Sequence, residues 1–331
     1  MDNSQDDSRY MPAVLKAAEE FSVAPKDIEL VAHSENVTFR ITVPDSDHDY
    51  VLRLHRPGYN SIEELNSERE WTKALNEAGI SAPESVLTRD GDYFTLIDIP
   101  GSNEQRYAGM TFWIDGTPLG DYLETASGKN ERTRIFARIG ELAAATHNQA
   151  TSWKEPPGFT RPRLDVEGLL GEAPRWGRFW EHSELTDDER SLLLRTRDQL
   201  GARLNAYGTT PENFTLIHAD INPDNIVYDG RDLALIDFDD AAYGWHMYDL
   251  ASALINECWA KDINAVIAAT LDGYRRRRAL KSRDIDMLQA FLLIRGMATI
   301  GWFHQRPEYA GSDFFEELKK WVLDECNAND W

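Results

Sequence analysis

The chain has 331 residues, enough for two lobes that each bury a core, with 42% hydrophobic and 28% charged side chains, ordinary for a globular protein. No stretch reaches the roughly 20 consecutive apolar residues that a membrane-spanning helix needs, so no membrane partner is expected. Its 57 acidic and 35 basic residues give a net charge of −22, which disfavours nucleic acid as a partner, since phosphate binding needs a basic footprint; such a field suits solubility first, and also draws cations.

The polar, acidic start has neither the basic nor the apolar region of a secretory signal, and predicts a cytoplasmic protein. Cys258 and Cys326 form no metal-ligand pattern and read as ordinary thiols. Residues 10–21 carry apolar positions at helical spacing. Strands follow at 28–43 and 50–54, with the turn formers of 43–49 between the last two. The pattern turns helical from 61 to 78 and stops at Gly79. Two more strands are expected at 84–88 and 93–99 around the turn Arg89–Asp92, then an extended run at 110–114. Helical patterns then recur at 131–148, 187–206, 261–280, 284–303 and 313–325. A β-rich part followed by a helix-rich part predicts an α+β, bilobal chain, with a lobe at 1–114 and another at 115–331. Arg275–Arg278 reads as the solvated end of a helix. The segment 151–181 sets Trp153, Trp176, Phe179 and Trp180 among Pro and Gly. It reads as an inserted loop or lid, whose aromatics either close over a substrate or pin it to the core.

The stretch 216–240, LIHADINPDNIVYDGRDLALIDFDD, carries the chemistry. The apolar runs 226–228 and 233–236 flank Asp229-Gly230 and read as a hairpin. Asp220 and Asn225 precede it and Asp237 ends it. Magnesium takes hard oxygen ligands from one or two protein groups plus phosphates, which Asn225 and Asp237 can supply. Asp220 can accept the proton of an acceptor hydroxyl or orient it. His218 reads as a packing residue beneath the loop.

This stretch resembles the aminoglycoside phosphotransferase-like superfamily, which includes aminoglycoside kinases, choline kinase, type II homoserine kinase and a bacterial stress-response Ser/Thr kinase. The family pattern is HGDxxxxN followed by a strand ending in IDF or LDD; here Ala219 stands where Gly is preferred. Gly244–Ala251 is similar to the family's G…YDLA segment, whose Asp supports the catalytic loop, here Asp249. The resemblance covers roughly residues 28–255. It implies a protein-kinase-like fold, ATP and Mg2+ as cofactors, and a small-molecule hydroxyl acceptor. It further implies that the turn at Ser34 and Asn36 covers the phosphates, and that Arg53 stands where the family has its phosphate-pairing Lys. Glu68 becomes its helix partner, and Phe112 and Ile114 line the adenine site.

Asp239, Asp240 and His246 are the acceptor-side candidates, with Trp302, His304 and Gln305 behind them. Acidic groups near aromatics suit an amine-bearing alcohol. Two other readings stay open: a stress-response-type Ser/Thr protein kinase, and a non-catalytic nucleotide-binding protein, suggested only by Arg53.

Overall fold

A computed structural model describes residues 7–34, 36–44, 46–125, 128–309, 311–329 and 331. Expectations that fall on residues 1–6, on Glu35 between Ser34 and Asn36, and on Asp45 within 43–49 lie outside the described residues. The chain divides into two compact units. The first comprises Met1–Thr117, Lys154–Thr160 and Val227–Asp239; the second comprises Pro118–Trp153, Arg161–Ile226 and Asp240–Trp331.

The first unit is built on strands β1 (Asp27–His33), β2 (Val37–Thr42), β3 (Tyr50–Leu54), β4 (Ser85–Val86), β5 (Phe94–Asp98) and β6 (Gln105–Phe112). Their order is β1-β2-β3-β6-β4, with β5 also paired to β6. The turn before β5 forms as expected: Gly91 has φ +87° and its N–H reaches Thr88 O at 3.0 Å. The strands on either side of it do not make a hairpin, however. Both pair antiparallel with β6, which starts five residues before the apolar run at 110.

Helix α1 (Met11–Glu20) presents Ala13, Val14, Ala17 and Ala18 to a core shared with Phe39, Ile41, Leu52, Ile97 and Met110. Helix α2 (Ile62–Glu77) starts with a capping box, in which the Ser61 hydroxyl accepts from Glu64 N–H and the Glu64 carboxylate accepts from Ser61 N–H. That satisfies two otherwise orphaned donors and contributes about 1 kcal/mol. The helix stops where Gly79 takes φ +78°.

The second unit is mainly helical, with α3 (Leu119–Thr125), α4 (Lys129–Ser152), α5 (Val166–Leu170), α6 (Asp187–Tyr207), α7 (His246–Leu254), α8 (Ile263–Arg275), α9 (Ser282–Asp286), α10 (Leu288–His304) and α11 (Asp313–Ala328). Six further short strands complete the two units: β7 (Thr117–Pro118), β8 (Arg163–Leu164), β9 (Phe214–Ile217), β10 (Ile226–Tyr228), β11 (Leu233–Leu235) and β12 (Ala242–Trp245), of which β11 and, from Val227 on, β10 belong to the first unit. They form two sheets, β11-β10-β7 and β8-β12-β9. Among the described residues no helix is long and apolar enough to cross a membrane.

Helices α4 and α8 touch backbone to backbone. A Cβ built on Gly140 would lie 2.0 Å from Thr270 O, and one on Gly273 only 1.8 Å from Ala137 O, so glycine is required at both crossing points. Helix α8 ends at Arg275, and Arg276 and Arg277 pair with Glu141 of α4 at 3.6 and 3.0 Å. The aromatics after residue 161 pin their segment to the core: Trp176, Phe179 and Trp180 are 5%, 1% and 7% exposed, so they form no open lid.

Candidate active site

The loop between β9 and β10 is shaped by one buried carboxylate. Asp249 on α7 is fully buried; its Oδ2 accepts the His218 N–H at 3.1 Å and its Oδ1 the Ala219 N–H at 2.6 Å. Ser252, one turn on, donates its hydroxyl to Ala219 O at 2.9 Å. With both peptide groups held, Ala219 takes φ +68°, a left-handed conformation that costs an L side chain about 1–2 kcal/mol. That is the physical reason glycine is preferred there, and alanine, the smallest alternative, is tolerated. The fully buried His218 accepts the Asp220 N–H through Nδ1 at 3.3 Å.

Asp249 is itself held from behind. His147 on α4 donates Nε2–H to its Oδ2 at 2.9 Å and accepts the Tyr274 hydroxyl of α8 through Nδ1 at 2.8 Å. That pair of bonds fits a neutral imidazole, and burial does lower the His147 pKa well below its ordinary value. Burial pushes Asp249 up to about 6, partly offset by His218 and the two backbone donors. His246, an expected acceptor contact, belongs to this buried network instead. Its ring stacks on His147 at 4.3 Å and its Nε2 meets Thr215 Oγ1 at 2.8 Å, so it does not face an acceptor. Burial, then His147, lowers its pKa well below normal and keeps it neutral.

Asp220 then projects from a fixed loop with both oxygens engaged. Asn225 donates Nδ2–H to Asp220 Oδ2 at 2.7 Å and to its backbone O at 3.1 Å. Asn222 caps the short turn Pro223–Asn225, its Oδ1 accepting the N–H groups of Asp224 at 2.9 Å and Asn225 at 3.2 Å. The other oxygen, Oδ1, receives Nη2–H of Arg295 from α10.

In the first unit, Arg53 on β3 donates Nη1–H to Asp237 Oδ1 at 2.8 Å and lies 3.6 Å from Asp239 Oδ1. Burial alone would lower its pKa, but Asp237 and Asp239 more than offset that and hold the guanidinium charged. The expected partner Glu68 is not in the pair. It is buried on α2, 3.5 Å from Arg69, and its Oε2 has no hydrogen-bond partner among the described residues. Asp237 sits at φ +61°, a left-handed position that Asp tolerates better than most residues. Phe238 packs edge-to-face on Trp71 of α2, with ring centres 5.5 Å apart, which ties this turn to the helix.

Asp239, expected on the acceptor side, is a structural anchor of the first unit. It accepts from Asn36 Nδ2, faces His55 Nδ1 at 3.5 Å, and its backbone O accepts from Asn60 at 3.0 Å. Asn36 Oδ1 takes the Arg56 N–H at 2.9 Å, so both ends of this side chain brace the turn after β1. Ser34 N–H closes the same turn on Asn36 O at 3.3 Å. Phe112 ends β6, with its ring 5.4 Å from Tyr50, and Ile114 follows half-buried.

Comparison with known proteins places these clusters in context. Residues 27–280 match the model of the phosphotransferase enzyme family. The chain belongs to that family. The microcompartment-associated aminopropanol kinase superposes with a TM-score of 0.81 at 27% identity, covering 96% of this chain and 95% of its own. Amicoumacin kinase hAmiN, solved in complex with AMP-PNP, Ca2+ and Ami, gives 0.78 at 20% identity, covering 98% and 96%. A homoserine kinase of Pseudomonas aeruginosa is 26% identical over 266 residues, 79% of this chain and 75% of that one. The bilobal, kinase-like α+β fold of this phosphotransferase is therefore the one its motif implied.

Phosphotransferase chemistry calls for a hard divalent cation, and the donors suit one. Asn225 spends its amide nitrogen on Asp220, which leaves Oδ1 for a cation, and the Asp237 carboxylate keeps 38% exposure. Among the described residues no three His, Cys, Asp or Glu side chains form a metal cluster, and a cation carried by nucleotide phosphates needs none. Reading the sequence missed Arg295, His147 and Tyr274. Each is one residue on an otherwise ordinary helical pattern, with no local signal of its distant partner.

Proposed function

We propose that this phosphotransferase is an ATP- and magnesium-dependent kinase that moves the γ-phosphate to a hydroxyl of a small amine- or amino-acid-like metabolite. The observation that carries this reading is the construction around Asp220, a carboxylate on a loop locked by Asp249 and oriented by Asn225. Asp220 receives the acceptor hydroxyl and takes its proton as the acceptor oxygen bonds to the γ-phosphorus. The bond to the β-phosphate bridging oxygen breaks and ADP leaves. Asn225 and Asp237 are the residues that would hold magnesium, which supplies charge neutralisation at the phosphates. Arg53 is the phosphate-facing cation of the first unit, and the turn braced by Asn36 is the phosphate cover. Asp240 is the carboxylate for an acceptor amine.

The test is ADP release with Mg-ATP across homoserine, choline, amino alcohols, amino sugars, aminoglycosides and a generic protein. Asp237→Asn should abolish magnesium-dependent turnover, and Asp220→Asn should slow it about 10²-fold or more while nucleotide still binds. Full activity in both variants would sink the assignment. Transfer to protein alone would replace the small-molecule reading with a Ser/Thr kinase.

A further inference from the structure

Beside Asp220, in the second unit, lie two buried side chains whose donors are not all spent. Arg295 gives Nη2–H to Asp220, but its Nε–H is buried and meets no hydrogen-bond acceptor among the described residues. The Tyr248 hydroxyl on α7 is fully buried beside that guanidinium, and it too lacks a partner in hydrogen-bond geometry. Whatever it accepts from Arg295, its own O–H remains unspent. Trp176 closes the group: its ring lies parallel to that of Tyr248, 5.9 Å apart, and 5.6 Å from the Arg295 guanidinium. Its indole N–H donates to Asp240 Oδ1 at 3.3 Å.

The chemistry of the missing partner follows from this inventory. A guanidinium N–H and an unspent O–H both need an acceptor. An ammonium is donor only; it would leave both unmet and bring a like charge to the guanidinium. A carboxylate is acceptor only, and matches a planar guanidinium in shape and charge. The side chain of Arg295 as a whole keeps 14% exposure. Asp240, which accepts the Trp176 indole N–H, offers a carboxylate to an ammonium.

Resting on the kinase reading above, we infer that the acceptor is a small hydroxy-amino acid. Its carboxylate is read by Arg295 and Tyr248, its ammonium by Asp240, and its hydroxyl meets Asp220. Arg295 is then a specificity-determining residue that separates amino acids from the corresponding amino alcohols.

The experiment uses pairs that differ only by a carboxylate: L-homoserine and 3-aminopropan-1-ol, L-threonine and 1-aminopropan-2-ol, L-serine and ethanolamine. Binding to the full chain is measured by calorimetry with AMP-PNP and Mg2+, and ADP release is followed in parallel. In at least one pair the amino acid should bind about a hundredfold tighter, as for a site built around a group that the analogue lacks. Arg295→Met should collapse that ratio toward one, and Tyr248→Phe, which removes a single hydroxyl, should reduce it about tenfold. Tighter binding of the amino alcohols, an unchanged ratio in Tyr248→Phe, or no binding of any of these ligands overturns the inference. Binding is read without turnover, so discrimination without ADP release would reject the kinase reading and leave this one standing. Thermal melts of both variants guard against misfolding, and Tyr248→Phe keeps the test decisive should Arg295→Met fail to fold.

Discussion

Replacing Gly273 by Ala tests how the second unit holds the loop between β9 and β10. In an open helix interior this change stabilises by about 1 kcal/mol, because alanine restricts the unfolded chain. Here the new methyl would sit 1.8 Å from Ala137 O and 2.6 Å from its carbonyl carbon, and the obstacle is backbone, which cannot rotate away. Helices α4 and α8 must part by more than 1 Å, an overpacking that costs roughly 2–3 kcal/mol. The net loss is about 1–2 kcal/mol, or roughly 2–8 °C in Tm for a unit of this size. Gly201 is the control, since a Cβ there meets only Val166 Cγ1 at 3.7 Å, an ordinary contact. Gly201→Ala should therefore raise Tm by about 1–3 °C. The same parting of α4 from α8 stretches the 2.8 Å contact between His147 and Tyr274, so Gly273→Ala should also lower ADP release. Differential scanning fluorimetry and the ADP assay read both effects. If the two alanine variants shift Tm in the same direction, the helix contact is not as close as described.

Arg53→Met leaves Asp239, only 13% exposed, without its guanidinium, and should cost the first unit about 2–3 kcal/mol, read from the urea midpoint. The pH dependence should carry two opposite contributions. Burial would raise the Asp239 pKa, but His55, Arg53 and Asn36 outweigh it and hold the carboxylate well below the usual range. The folded state therefore binds this proton later than the unfolded one, and its stabilisation is present above about pH 4 and lost as pH falls. Asp239→Asn should flatten the acid limb of the stability curve. Asp249 runs the other way: with a folded pKa of about 6, the folded state takes the proton first, so its contribution declines by about 2 kcal/mol between pH 4 and 7. Asp249→Asn should remove that decline, and urea titrations at stepped pH will show it.

Much of this protein was legible before any coordinates. Helices α4, α6, α8, α10 and α11 announce themselves by apolar periodicity, and β10 and β11 by short apolar runs around Asp229-Gly230, whereas α5 and α7 carry no such signal. These are local properties: backbone preference and side-chain spacing act over a few residues, so a reader of the chain sees them directly. The order His218, Asp220, Asn225, Asp237 is local in the same sense, and Asp249 as the support of the loop follows from the motif.

What the tertiary structure alone decided is the choice of partners. The turn before β5 is correct as a turn, yet β4 and β5 both pair with β6, because strand pairing depends on edges that the rest of the sheet leaves available. Arg53 lies on the expected strand but pairs with Asp237 and Asp239 rather than Glu68. Asp239 and Asp240 are neighbours in sequence and belong to different units. Arg295 reaches Asp220 across 75 residues of chain. A charged side chain near many opposite charges has no local preference among them. The fold selects one by the distance and burial it imposes, and neither quantity is written at any single position.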